Sequence, residues 1–263
     1  MLKTVDQSLK LLNYFSKEKP SWGARELAKE TGMNHSTVYR ILETLEANRF
    51  LVKDDATKKY TLGIRLWELG LRMYDSMKLP ELIRPIMKQL MIDTGESVFL
   101  TGLDGDEALT LDAMEPDNKV KYSVSLGSRV PLYAGASYRA ILAFMPPEKI
   151  DNILRGTLQA YTENTMTDPQ QIRETLTEIR EKGWAQSSGE YTRDVMAIAV
   201  PLFDANDHIV GSLTVSGPKY RFTENDITRH LPLLQQAKED VSAVMKKYRQ
   251  PSRASPRCHR TCP

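Results

Sequence analysis

Cysteine is almost absent from the chain: 263 residues hold two, Cys258 and Cys262, both among the last six. No disulfide can therefore staple a folded body, which excludes the small disulfide-rich scaffolds and points to a reducing cytoplasm. Long apolar runs are missing too. The longest, Met196 to Phe203, falls far short of the ~18 residues of a membrane-spanning helix, and no basic segment followed by an apolar stretch opens the chain. Neither membrane insertion nor secretion is expected. Histidine is scarce: His35, His208, His230 and His259 are scattered, none at a metal-ligand spacing. There is no glycine-rich phosphate loop and no serine in a nucleophile elbow. Asp204 and Asp207 sit in a turn, where solvation explains them. These gaps argue against an enzyme and against a bound metal or cofactor. Cys258, His259 and Cys262 crowd three potential ligands into five residues without a fourth elsewhere, a poor zinc site.

Charge is present in both signs but unevenly spread. Residues 1 to 62 carry 11 basic and 8 acidic side chains, residues 63 to 248 carry 21 and 26, and residues 249 to 263 carry four arginines and no acid. A mildly basic head and a basic tail flank an acidic body, and a basic head suits a polyanion-binding module. At ~150 residues per domain the length allows two domains. From Pro251 onward apolar periodicity is lost, so 249–263 reads as a disordered tail.

Within the head, Val5, Leu9, Leu12 and Phe15 recur every three or four residues and predict an amphipathic helix over 4–16, capped by Thr4. A short helix follows from Ala24 to about Thr31, with Leu27 and Ala28 inward and Gly32 as its stop. A third runs from a cap at Asn34 to about Asn48, burying Val38, Ile41, Leu42 and Leu45. Two helices joined by so short a glycine-containing turn make a helix-turn-helix, or else a plain helical hairpin with a solvated face. In the first reading the second helix enters the major groove and presents His35, Ser36, Thr37, Tyr39 and Arg40. Arg40 is long enough for a guanine edge or a phosphate. Strands at 50–52 and 59–62 then enclose a turn, completing a winged helix-turn-helix in which Lys58 and Lys59 serve phosphates.

Residues 64 to 77 predict a further helix whose apolar surface, Ile64, Trp67, Leu71 and Tyr74 widened by Leu66, Leu69 and Met73, needs a partner. That partner is either the chain's own body or the same helix of a second copy, and a two-fold dimer would bring two reading helices to two half-sites. A helix from Pro80 to about Thr94 is expected to bury Leu82, Ile83, Ile86, Leu90 and Met91. Strands are expected at 97–103, 108–114, 121–126, 184–189, 196–203 and 209–216. Helices are expected from Gly135 to about Phe144, after Pro146, over 169–182 and over 224–248. Strands, helices and strands again indicate an α+β body on a largely antiparallel sheet.

The order and spacing of four segments resemble the IclR family of bacterial transcriptional regulators over residues 3 to 248. They are Ser36 to Leu45 (STVYRILETL), Tyr60 to Gly63 (YTLG), Gly127 to Ser137 (GSRVPLYAGAS) and Ser216-Gly217-Pro218. The resemblance implies a winged helix-turn-helix over 1–62, a linker and dimerisation helix over 63–78 and a GAF-like effector-binding domain over 79–248. It also implies a homodimer or dimer of dimers on a palindromic double-stranded operator.

A ligand site is suggested independently by Gly135-Ala136-Ser137, which opens a helix with unpaired N–H groups suited to a carboxylate. The plainer reading is a turn glycine followed by a serine cap. The resemblance places Gly135 and Ala136 in the family's effector site, together with the alternating hydroxyls of Thr214 and Ser216. It puts Ala197, beside Met196, where relatives often carry cysteine, and Ser187 where they carry an acid, while Glu190 matches another acidic position. With Leu126, Leu132 and Tyr133 near in the pattern, the expected pocket is less polar than a relative's and takes a carboxylate-containing metabolite. The function expected is a DNA-binding transcriptional regulator, more a repressor than an activator. The other readings are a ligand-binding adaptor whose winged helix contacts protein, and an enzyme acting on a small carboxylic acid.

Overall fold

The structure, a computed structural model, describes residues 2–16, 18–77 and 79–247. The 249–263 tail, with its expected disorder, lies outside the described residues. The chain divides into two units, Met1–Lys78 and Leu79–Pro263, so the linker helix groups with the head.

The first unit holds α1 (Lys3–Leu12), α2 (Ala24–Thr31), α3 (His35–Ala47), β1 (Leu51–Lys53), β2 (Tyr60–Leu62) and α4 (Ile64–Met77). Helix α1 is shorter than its periodicity predicts and follows Leu2 rather than a Thr4 cap. Its stripe is right in part: Phe15 joins the core and Leu12 packs against it, but Val5 and Leu9 are exposed and Leu11 is buried in their place. That core gathers Leu11, Trp22, Leu27, Val38, Ile41, Leu42, Leu51 and Tyr60. In α4 the apolar side chains of Ile64, Trp67, Leu69 and Leu71 are exposed.

The second unit holds α5 (Leu79–Thr94), β3 (Ser97–Asp104), β4 (Glu107–Met114), β5 (Arg129–Pro131), α6 (Ala136–Leu142), α7 (Pro147–Arg155), α8 (Pro169–Lys182), β6 (Ala185–Ser188), β7 (Val195–Phe203), β8 (Ile209–Pro218) and α9 (Glu224–Lys247). Its sheet has the order β5-β4-β3-β8-β7-β6 with every neighbouring pair antiparallel. The fold is α+β. Alternation along the strands feeds two cores: Val98, Leu100, Met196, Ile198, Leu213 and Val215 face the side filled by residues of α5 and α9, while Ala197 and Ala199 face α6 and α8. In α5 the buried positions are Ile83, Met87 and Leu90, whereas Leu82 is exposed. The strand expected at 121–126 does not form; the short strand lies at Arg129–Pro131. Residues 121–125 carry no regular structure, and the Tyr122 carbonyl accepts from Ser97 Oγ at 2.7 Å.

Candidate functional site

Two sites stand out, one in each unit. In the first unit, Gly32 ends α2 in the left-handed region at φ +67°, a conformation that costs glycine little. Two residues later the Asn34 carboxamide oxygen caps α3, accepting from Ser36 N at 2.9 Å and Ser36 Oγ at 2.7 Å. Capping by asparagine satisfies a backbone donor that the helix cannot. With Val38, Ile41 and Leu42 pinned in the core, the opposite side of α3 exposes His35, Ser36, Tyr39 and Arg40. Thr37 is half-buried. Arg40 forms no ion pair among the described residues, whereas the Ser36 hydroxyl donates to the cap and keeps its acceptor lone pairs.

The wing is a β1–β2 hairpin in register Leu51 to Leu62. Asp54 shapes its turn by accepting from Thr57 N at 2.6 Å and Thr57 Oγ1 at 2.8 Å, bonds that hold its carboxyl below the usual range. Lys58 adopts φ +57° there. Lys58 lies 3.7 Å from Asp55 and Lys59 4.0 Å from Glu26. Such exposed pairs contribute little, so both ammonium groups remain available to a phosphate.

The second site is a narrow cleft in the Leu79–Pro263 unit, partly open to solvent. Seven of the sequence-derived positions converge on it: Gly135, Ala136, Ser137, Ser187, Ala197, Thr214 and Ser216. Three do not. Leu126 is exposed away from the cleft, Leu132 is fully buried in the α6-side core, and Met196 points into the α5–α9 core. Met196 fails because neighbouring strand residues face opposite sides, so only Ala197 reaches the cleft.

Gly135 has φ +105° and ψ 165°, which only glycine adopts without strain. The chain can then turn into α6 beneath the cleft. Ala136 N donates to Ser187 Oγ at 3.0 Å, so this donor, expected to meet a ligand, is already satisfied within the chain. The next two N–H groups, of Ser137 and Tyr138, belong to the first helical turn and have no intrahelical acceptor. Thr214 Oγ1 donates to Ser137 Oγ at 2.8 Å, and Ser216 Oγ donates to the Met196 carbonyl at 3.1 Å.

Aromatic walls went unseen in the sequence. Phe99 meets Tyr122 edge-on at 5.7 Å between centroids, and Tyr138 meets Tyr191 at 6.3 Å; all four line the cleft. Burial raises the pKa of Tyr122, Tyr138 and Tyr191, keeping their hydroxyls protonated. Among the described residues the one charged side chain in the lining is Glu190. Buried Arg139 grips it with both terminal nitrogens, Nη2 at 2.7 Å, and also donates to the Gln186 carbonyl at 2.9 Å. The cleft is thus neutral in balance and rich in hydroxyls. No group of three or more His, Cys, Asp or Glu side chains converges to hold a metal ion among the described residues.

Comparison with known proteins gives two family matches: residues 71–243 fit the model described as bacterial transcriptional regulator IclR C-terminal, and residues 4–55 that of the IclR helix-turn-helix domain. The chain is 33% identical over 241 residues to the HTH-type transcriptional regulator KipR of Bacillus subtilis, covering 91% of this chain and 94% of that one. It is 26% identical to the transcriptional repressor IclR of Escherichia coli, covering 92% and 89%. An IclR transcriptional regulator from Silicibacter superposes with TM-score 0.84 at 30% identity, covering 92% and 96%. An IclR homologue of Microbacterium hydrocarbonoxydans complexed with 4-hydroxybenzoate shares the fold, with TM-score 0.79 at 22% identity over 92% and 98%.

Proposed function

The chain belongs to the IclR family of bacterial transcriptional regulators, and from that premise we propose that it is a repressor whose operator binding is modulated by a small carboxylate-containing metabolite. It is a regulator and not an enzyme. It works in the cytoplasm as a homodimer or dimer of dimers on a palindromic duplex. The observation that carries the DNA-binding part is the exposed face of α3, where Arg40, without an ion pair among the described residues, stands beside Ser36 at the helix start, flanked by a wing bearing Lys58 and Lys59. His35 and Thr37 complete the phosphate and base contacts around the N-terminus of α3.

For the ligand, the N–H groups of Ser137 and Tyr138, with the hydroxyls of Ser137 and Ser187, supply neutral donors to a carboxylate, and Thr214 holds Ser137 in place. The ring walls of the cleft would receive the remainder of the molecule, an acid being what the Microbacterium homologue carries. Dimerisation accounts for the bare apolar face of α4, since exposed apolar patches of this kind mark association surfaces. Ligand occupancy would then act on the reading heads through Ile64–Met77, the helix leading out of the first unit.

An electrophoretic mobility assay on the DNA upstream of the chain's own gene tests the first claim, with Arg40→Ala alongside. Tight, sequence-selective binding that Arg40→Ala weakens is expected; equal, weak, unselective binding by both would leave the adaptor reading. A thermal-shift screen of carboxylic acids tests the second. A ligand at 100 times its Kd should stabilise the chain by about 2.7 kcal/mol, and an acid that does so should also change operator affinity.

A further inference from the structure

We propose that Tyr39 is a positioning residue, which fixes the wing against α3 through Lys53 and leaves the reading of base edges to Ser36 and Arg40. This rests on the DNA-binding reading above. Tyr39 lies one helical turn after His35 and one before Glu43, at the edge of α3 beside β1. Its ring is 6.3 Å from that of His35, and the Lys53 ammonium stands 5.7 Å from its centroid. The same ammonium stands 5.3 Å from the centroid of Tyr60. A cation so placed is attracted by both rings, one from the recognition helix and one from the wing.

The far ring is anchored in the core. Tyr60 is buried, pairs in register with Lys53 across the hairpin, and exchanges backbone bonds with Trp22 at 3.0 and 2.9 Å. Immediately after Lys53 the turn closes, with Asp54 N donating to the Lys59 carbonyl at 2.8 Å. Where Lys53 sits therefore sets where Lys58 and Lys59 stand. The Glu43 carboxylate, one helical turn on, raises the phenol's pKa. Arg40 comes ~100° further round the helix, in one row with Ser36. It has no ion pair among the described residues and is free to extend.

The test uses the full chain and the tightest duplex it selects from a random pool, with a scrambled duplex as control, measured from low to moderate salt. Tyr39→Phe keeps the ring and should bind within about twofold of the parent chain. Tyr39→Ala should lose about tenfold on both duplexes, with a salt slope shallower by about one to two because the wing lysines disengage. Lys53→Met should reproduce that loss, and the double variant should be no worse than the weaker single, the signature of shared work. Tyr39→Leu, which retains apolar bulk, should behave as Tyr39→Ala and separates the effect from general misfolding. The proposal is overturned if Tyr39→Ala relaxes preference at one base pair with its salt slope unchanged, or if the two single losses add. If the parent chain selects no duplex, the DNA-binding reading falls and this proposal falls with it.

Discussion

Ser137 joins helix to sheet at two atoms and leaves a third open. Its Oγ accepts from Thr214, its carbonyl accepts from Ser212 Oγ at 2.8 Å, and its N–H belongs to the open first turn of α6. Thr214→Val should remove the donor to Ser137 Oγ, costing about 1 kcal/mol in a melting experiment, and should weaken the stabilising acid found by screening more than it weakens the fold. His230 makes a second test at this scale. It is buried with Nδ1 unpartnered and its ring packs on Phe222 at 5.0 Å. Burial first, then Arg229, lower its pKa below the ordinary 6.5, while Asp226 and Glu96 oppose the shift. The unfolded chain therefore binds more protons just below pH 6.5, and stability should fall as the medium is acidified through that range. His230→Phe should flatten the melting temperature between pH 7.5 and 5.5; an unchanged slope would refute the assignment. Residue by residue, the sequence revealed the cleft only in part. Ala197 and Met196 are both apolar and adjacent, and with a core on each side of the sheet nothing in composition says which one faces the ligand. Phe99, Tyr122, Tyr138 and Tyr191 come from a strand, two irregular segments and a helix that only the tertiary fold unites.

At the scale of elements, the reading helix was legible because everything that specifies it is local. Asn34 caps it, Gly32 precedes it, and Val38, Ile41 and Leu42 repeat on one side. Leu42→Ala should cost about 2–5 kcal/mol, and because the two units have separate cores, calorimetry should show the transition of the first unit moving while that of Leu79–Pro263 stays. A single transition shifted as a whole would contradict that independence. The segment 121–126 misled for a physical reason. Its alternation is real, but Tyr122 and Val124 use it to wall the cleft, and the Tyr122 carbonyl accepts from the Ser97 hydroxyl instead of from a strand's backbone N–H. In α1 Val5 and Leu9 compete with Leu11 for the core, and periodicity alone does not tell which of the two faces is buried.

At the scale of the whole molecule, the exposed row Ile64, Trp67 and Leu71 is the feature that a single chain leaves unexplained. Trp67→Glu should shift the chain from dimer to monomer in sedimentation velocity and lower operator affinity well beyond tenfold, while a single half-site duplex is bound as before. Unaltered sedimentation would remove α4 from the dimer interface. How α4 begins has a mechanical consequence. Gly63 N donates to the Phe50 carbonyl at 2.8 Å and Arg65 N to the Arg49 carbonyl at 3.2 Å, and a Cβ on Gly63 would collide with the Arg49–Phe50 backbone. The helix is thus welded to the reading head rather than hinged to it. A rotation of its first turn would carry the start of the wing and the end of the recognition helix with it, as a handle carries a tool.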